Sequence, residues 1–175
     1  MTDVKTEIRT SSHTWCQTAE CLADPLVKSV VTRVSAVTQT PEENGEFAQL
    51  VYYQACPKAD DKSCAFYRRH SDYIDGDQHH NQGVRIYTLF MYLNDVPPDG
   101  GGGTRFTDLN PPITIQPVRG KAILWPSVLE DDPGTIDPRT HHEALPVTLG
   151  EKYGANFWIH MHDFKGPHAT GCTMG

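Results

Sequence analysis

The chain has no long apolar run, no excess of positive charge, no paired-cysteine zinc spacing and no internal repeat. No stretch approaches the roughly 18 consecutive apolar residues that a membrane-spanning helix needs, which excludes such a span within these residues. Fifteen Lys+Arg stand against 22 Asp+Glu, a formal net charge of -7, the wrong sign for a nucleic-acid or anionic-membrane partner. The five cysteines and nine histidines do not fall into CxxC or HxxxH pairs, so any metal must be held by residues far apart in sequence. The odd cysteine count leaves at least one thiol over, and cysteine usage alone leaves the compartment open.

What is present is globular. With 38% hydrophobic and 21% charged residues, the 175 positions are expected to form one domain over residues 1–175, long enough to bury a core. Asp24-Pro25 offers an N-cap followed by proline at the first helical position. Leu26, Val27, Val30, Val31, Val34 and Val37 then recur at helical spacing, which predicts one amphipathic helix stopped by Pro41 and Gly45. From residue 47 onward short runs suited to strands alternate with turn residues: Phe47–Gln54, Val84–Leu93, Thr104–Phe106, Ile113–Val118, Lys121–Trp125, His142–Val147 and Tyr153–His162. The segment from Pro97 to Gly103 and the Asp131-Asp132-Pro133-Gly134 turn cannot be regular elements. One helix followed by seven short strands predicts a mainly β fold, a sandwich or jelly roll, with Trp125 and Phe157 in its core.

His70-Ser71-Asp72 sits near the start of an expected strand, where residues i and i+2 share a face and both side chains can reach one point. Such a pair alone is equally a surface ion pair. His142 supplies a third group, and two histidines with one carboxylate make the facial triad of non-haem Fe(II) oxygenases. Lys152, ten residues beyond His142, offers a cation to a dicarboxylate chelating the same iron. His13, His79, His80, His162 and His168 fall in polar segments and are expected to be bystanders.

A series of segments carries a resemblance. Arg9-Thr10-Ser11-Ser12, Pro41-Glu42-Glu43-Asn44-Gly45-Glu46, Tyr67 through Tyr73, Arg85 through Val96, Gly101-Gly102-Gly103-Thr104-Arg105-Phe106, Pro117 through Ala122, and His142 through His160 resemble, in that order, the catalytic domain of prolyl 4-hydroxylases. The resemblance runs from about residue 9 to residue 164. It implies a double-stranded β-helix (jelly roll) with at least one supporting α-helix, binding Fe(II) through His70, Asp72 and His142 and 2-oxoglutarate through Lys152. It chooses His142 over its neighbour His141 because His142 stands four residues before Pro146, and it implies that Tyr53 and Thr104 help hold the cosubstrate. Tyr67, Arg85, Trp158 and His160 match positions that line the peptide groove.

The implied reaction is 4-hydroxylation of peptidyl proline, with O2 as second cosubstrate, ascorbate as iron reductant, and a proline-rich or collagen-like chain as partner. C–H hydroxylation needs a one-electron metal, and three protein ligands leave positions open for the keto acid and oxygen. A secretory or endoplasmic-reticulum location follows from the resemblance alone. Two rivals remain: a dioxygenase of the same fold acting on another residue or a small molecule, and an inactive peptide-binding module. The inactive module would be expected to have lost a ligand, whereas His70, Asp72, His142 and Lys152 are all in place.

Departures from the family pattern add two expectations. The stretch from Ala55 to Cys64 is longer than in the family and bracketed by cysteines, giving either a loop-closing Cys56–Cys64 disulfide or two free thiols. Cys16 and Cys21 form a second candidate clip, with Cys172 left over. Family domains also carry a strand and helix ahead of the Arg-Thr-Ser segment, so part of that support is expected to be missing.

Overall fold

In chain order the elements are β1 (Ser12–Trp15), α1 (Ala19–Ala23), α2 (Pro25–Thr38), β2 (Gln49–Gln54), β3 (Tyr67–His70), β4 (Arg85–Tyr92), β5 (Thr104–Phe106), β6 (Ile113–Ile115), β7 (Ala122–Pro126), β8 (His142–Ala144), β9 (Glu151–His160) and α3 (Lys165–Ala169). They come from a computed structural model that describes residues 11–56, 64 and 66–171. Arg9, Thr10, the whole stretch 57–63 between Cys56 and Cys64, and Cys172 lie outside the described residues.

All strand pairings are antiparallel, in a five-stranded sheet ordered β1-β2-β9-β4-β7 and a four-stranded sheet ordered β3-β8-β5-β6. The two sheets form the expected jelly roll. Val51, Tyr53, Phe90, Tyr92 and Trp125 from the larger sheet meet Phe106 from the smaller one, closed by Val96 and Val147, to make the interior cluster. The opposite face of the larger sheet carries Leu89, Ala155, Phe157 and Ile159, covered by Val27, Val30, Val31 and Val34 of α2. Strand alternation explains both faces: odd and even positions of β4 and β9 point to opposite sides.

Helix α2 begins as its sequence requires. Asp24 Oδ1 accepts from the N–H groups of Leu26 at 2.7 Å and Val27 at 3.2 Å, and Pro25 occupies the first turn. It ends earlier than Pro41, at Gln39, whose left-handed backbone (φ 55°) directs its N–H to the Ser35 carbonyl. Leu26 and Val37, counted in the apolar stripe, remain 73% and 62% exposed, so the buried stripe is the four valines alone. Three elements are absent from the sequence reading: α3, and, in the polar segment before Asp24, β1 and α1, which Cys16–Cys21 joins. Cys56–Cys64 is likewise bonded, with both sulfurs' residues buried. Among the described residues no helix is long and apolar enough to cross a membrane.

Candidate active site

The two sheets bring the proposed ligands together differently from the sequence expectation. His70 is the last residue of β3, not an early one, and Asp72 lies past the strand end. The pair therefore converges because the chain bends after His70, not because i and i+2 share a strand face. His142 opens β8 directly opposite His70 in the register, with their rings 4.3 Å apart. One ligand atom from each of His70, Asp72 and His142 falls within 4.8 Å of the others.

The two rings are set to point Nε2 inward. His70 Nδ1 lies 2.7 Å from the Arg68 carbonyl and His142 Nδ1 lies 2.9 Å from the Thr140 carbonyl. A carbonyl can only accept, so each Nδ1 carries a proton and each Nε2 is the ring atom left facing the carboxylate. Those Nε2 atoms sit 3.8 Å and 3.6 Å from the two Asp72 oxygens. Burial works against the Asp72 charge, yet His142, His70 and a hydrogen bond from Thr88 outweigh it and hold the carboxyl below its ordinary range. Two imidazoles that face an ionised carboxylate through Nε2, with backbone partners behind them, are a donor set suited to non-haem Fe(II).

Lys152 projects from β9 into the same cavity and is fully buried. Its Nζ donates to the Gly102 carbonyl at 2.7 Å and lies 4.7 Å from the Tyr53 ring centroid, with Phe90 and Tyr92 at 5.3 and 5.5 Å. Among the described residues no carboxylate pairs with it, and burial pulls its ammonium down to about 7. Thr104 stands beside it through the Tyr92 hydroxyl, 2.8 Å away, and burial pushes that phenol up to about 12. Gly154 lies on the same inward face of β9; any side chain there would overlap the Phe90 ring.

The triad and Lys152 line one and the same cavity. Tyr67 and Trp158 line it, Tyr67 lying flat on His70 with centroids 3.6 Å apart. Arg85 and His160 do not line it. Arg85 lies over Trp158, 4.2 Å from the ring centroid, and both Arg85 and His160 contact Glu46. Among the other histidines, His141 turns to the Pro138 carbonyl, away from the triad. His80 and His168 are not simply solvated: His80 Nδ1 lies 3.3 Å from Asp77, and His168 stacks on Phe164.

Several residues of the site had no role in the sequence reading. Thr88 donates to Asp72 at 2.7 Å, Trp125 packs its ring 4.7 Å from His142, and Asn156 lines the cavity. Thr88 left a trace: it is the one small hydroxyl within the apolar run of β4, on the phase that also carries Phe90 and Tyr92.

Residues 48–160 match the family model described as the 2OG-Fe(II) oxygenase superfamily. The chain belongs to that superfamily. Within it, prolyl 4-hydroxylase 5 of Arabidopsis thaliana is 32% identical across 90% of this chain, and the chain spans 55% of that relative's length. The crystal structure of a viral collagen prolyl hydroxylase from Paramecium Bursaria Chlorella virus-1, in its 2OG complex, matches with a TM-score of 0.69 and 27% identity, over 87% of this chain and 79% of that one. A Pseudomonas putida prolyl-4-hydroxylase shares the fold at a TM-score of 0.58 and 23% identity, over 91% of this chain and 76% of its own. The donor set of His70, Asp72 and His142 fits the iron of that superfamily's name.

Proposed function

We propose that this domain hydroxylates peptidyl proline at C4, consuming 2-oxoglutarate and O2 and releasing succinate and CO2. The observation that carries the reading is the placement of a buried, carboxylate-free Lys152 in the cavity that holds His70, Asp72 and His142. Bound iron would supply O2 activation and the oxidative chemistry. His70, Asp72 and His142 would hold that iron on one side, leaving the cavity side open. Lys152 would pair with the far carboxylate of 2-oxoglutarate, a buried ion pair that the protein lacks without the ligand. Tyr53 and Thr104 would flank that carboxylate.

The substrate class follows from the aromatic walls and from the relatives. Tyr67 and Trp158 add aromatic lining of the kind that receives proline-rich chains in polyproline II conformation, and the matched relatives carry prolyl hydroxylase names. Ascorbate as the reductant that restores oxidised iron, and a secretory-pathway location, belong to the same reading. The test is mass spectrometry of polyproline and Pro-Pro-Gly peptides incubated with protein, Fe(II), 2-oxoglutarate and ascorbate. The expected product gains one oxygen per modified proline, with equimolar succinate and with 4-hydroxyproline on hydrolysis. Turnover confined to proline-free peptides or small molecules would refute it.

A further inference from the structure

We propose that Glu46 is a positioning residue for the peptide, holding Arg85 against Trp158 from behind the cavity wall that Trp158 forms. The inference rests on the peptide-hydroxylase reading above and adds to it a residue that does not itself line the cavity.

The carboxylate arrives from a fixed backbone. The Glu46 N–H donates to the Trp158 carbonyl at 2.9 Å, Gly45 bridges Ile159, and Asn44 Nδ2 donates to the carbonyls of His160 and Met161 at 3.2 and 3.1 Å. The turn ahead of β2 is thereby sewn to the end of β9. A single oxygen, Glu46 Oε1, then accepts from Arg85 Nε at 2.6 Å and lies 2.8 Å from His160 Nε2. The other ring nitrogen of His160 faces the Gly83 carbonyl at 2.7 Å. All three side chains are largely buried, with 7%, 15% and 2% exposure for Glu46, Arg85 and His160. Burial opposes the Glu46 charge, but Arg85 and His160 outweigh it, so the anchor stays ionised.

The consequence falls on Arg85. Its guanidinium is tied through Nε and lies over Trp158, while its two terminal amino groups make no hydrogen bond or ion pair with any described residue. A polyproline II peptide has no internal backbone hydrogen bonds and so presents bare carbonyls. An arginine flattened on an aromatic wall with donors uncommitted is the complement to such a chain. Without the anion, Arg85 is free to swing off the indole, and two neighbouring basic groups lose the charge that holds them in place. The cosubstrate end, built on Lys152, is untouched by this arrangement.

The test compares Glu46→Gln, Arg85→Gln and the double variant in the full chain, using a proline peptide that the wild type hydroxylates. Glu46→Gln keeps size and one acceptor but removes the charge. The proposal expects its peptide KM to rise about tenfold or more with kcat changed less than about twofold, and 2-oxoglutarate affinity measured anaerobically without peptide to stay unchanged. In the Arg85→Gln background the further Glu46→Gln change should move KM less than about twofold, because Glu46 acts through Arg85. An unchanged KM in Glu46→Gln, additive effects in the double variant, or a parallel loss of 2-oxoglutarate affinity would each overturn it. Should Glu46→Gln fail to fold, Glu46→Asp carries the test: it keeps the charge but draws it back from Arg85, and a raised peptide KM with unchanged 2-oxoglutarate affinity supports the proposal while an unchanged KM defeats it. A wild type inactive on every proline peptide would sink the hydroxylase reading and this proposal together, whereas an active wild type with an indifferent Glu46→Gln sinks this proposal alone.

Discussion

Thr88 on β4 donates its hydroxyl proton to Asp72 Oδ2 at 2.7 Å, so the carboxylate of the triad is held by a strand of the sheet opposite the two histidines. Asp72 has no strand of its own to fix it, and Thr88 restrains both its rotation and its charge. Thr88→Val keeps the shape and removes the donor. The expected result is a metal affinity about 10–100-fold weaker with the melting curve little changed, measured by titration with Fe(II) or Co(II) under nitrogen.

His70→Ala, Asp72→Ala and His142→Ala should each abolish turnover without unfolding the protein, since the interior cluster does not include them. The check is twofold: circular dichroism for the fold, and the weak visible band that Fe(II) and 2-oxoglutarate give together. The band should appear in the wild type and be absent from all three variants. A variant of His141, which faces away from the triad, should retain it.

Lys152 makes stability depend on pH. Its ordinary value is 10.5 and burial lowers it to about 7. Between those values the unfolded chain holds a proton that the folded protein has released, so ligand-free stability rises with pH across that window. The slope from this group is at most about 1.4 kcal/mol per pH unit. Below about 7 both states carry the proton, and the folded state bears the full penalty of a buried charge. Lys152→Met should flatten this part of the profile, read as the difference between two denaturant series. The same variant should raise the 2-oxoglutarate requirement steeply, because the dicarboxylate loses its charge partner.

Cys56–Cys64 closes the connection between β2, which carries Tyr53, and β3, which carries Tyr67 and His70. Replacing both cysteines by serine should lower stability by about 2–3 kcal/mol, the loop-closure contribution expected for so short a loop. Guanidinium unfolding of the oxidised wild type against the double variant measures it. An equal midpoint for the two would show that the crosslink adds nothing to the folded state.

Much of this architecture was legible from periodicity. The valines of α2 and the alternation of β4 and β9 each bury one side of an element, and burial on one side is what leaves a period in the sequence. β1 and α1 left no such mark: the first is four residues in a polar setting and the second has no buried residue. Strand β3 was expected to begin near His70 and instead ends there, because Arg68 and Arg69 face solvent and only its ends, Tyr67 and His70, turn toward the cavity. His70, His142 and Lys152 could be named because their chemistry is rare at such spacings. Thr88 and Glu46 act through other side chains, and a hydrogen bond across 16 residues, or 39, has no signature in the order of the chain.

Strand β9 carries Lys152, Gly154, Asn156, Trp158 and His160 on one face, and Ala155, Phe157 and Ile159 on the other. The site is therefore stored as a parity as much as a set of residues. Inserting or deleting one residue within this strand would exchange the two sets, sending the lysine toward α2 and phenylalanine into the cavity. Two-residue changes would preserve parity while sliding Lys152 by nearly 7 Å, about two strand residues. Drift in the length of β9 is for this reason closed off in a way that drift in its exposed neighbours, such as the loop before Glu151, is not.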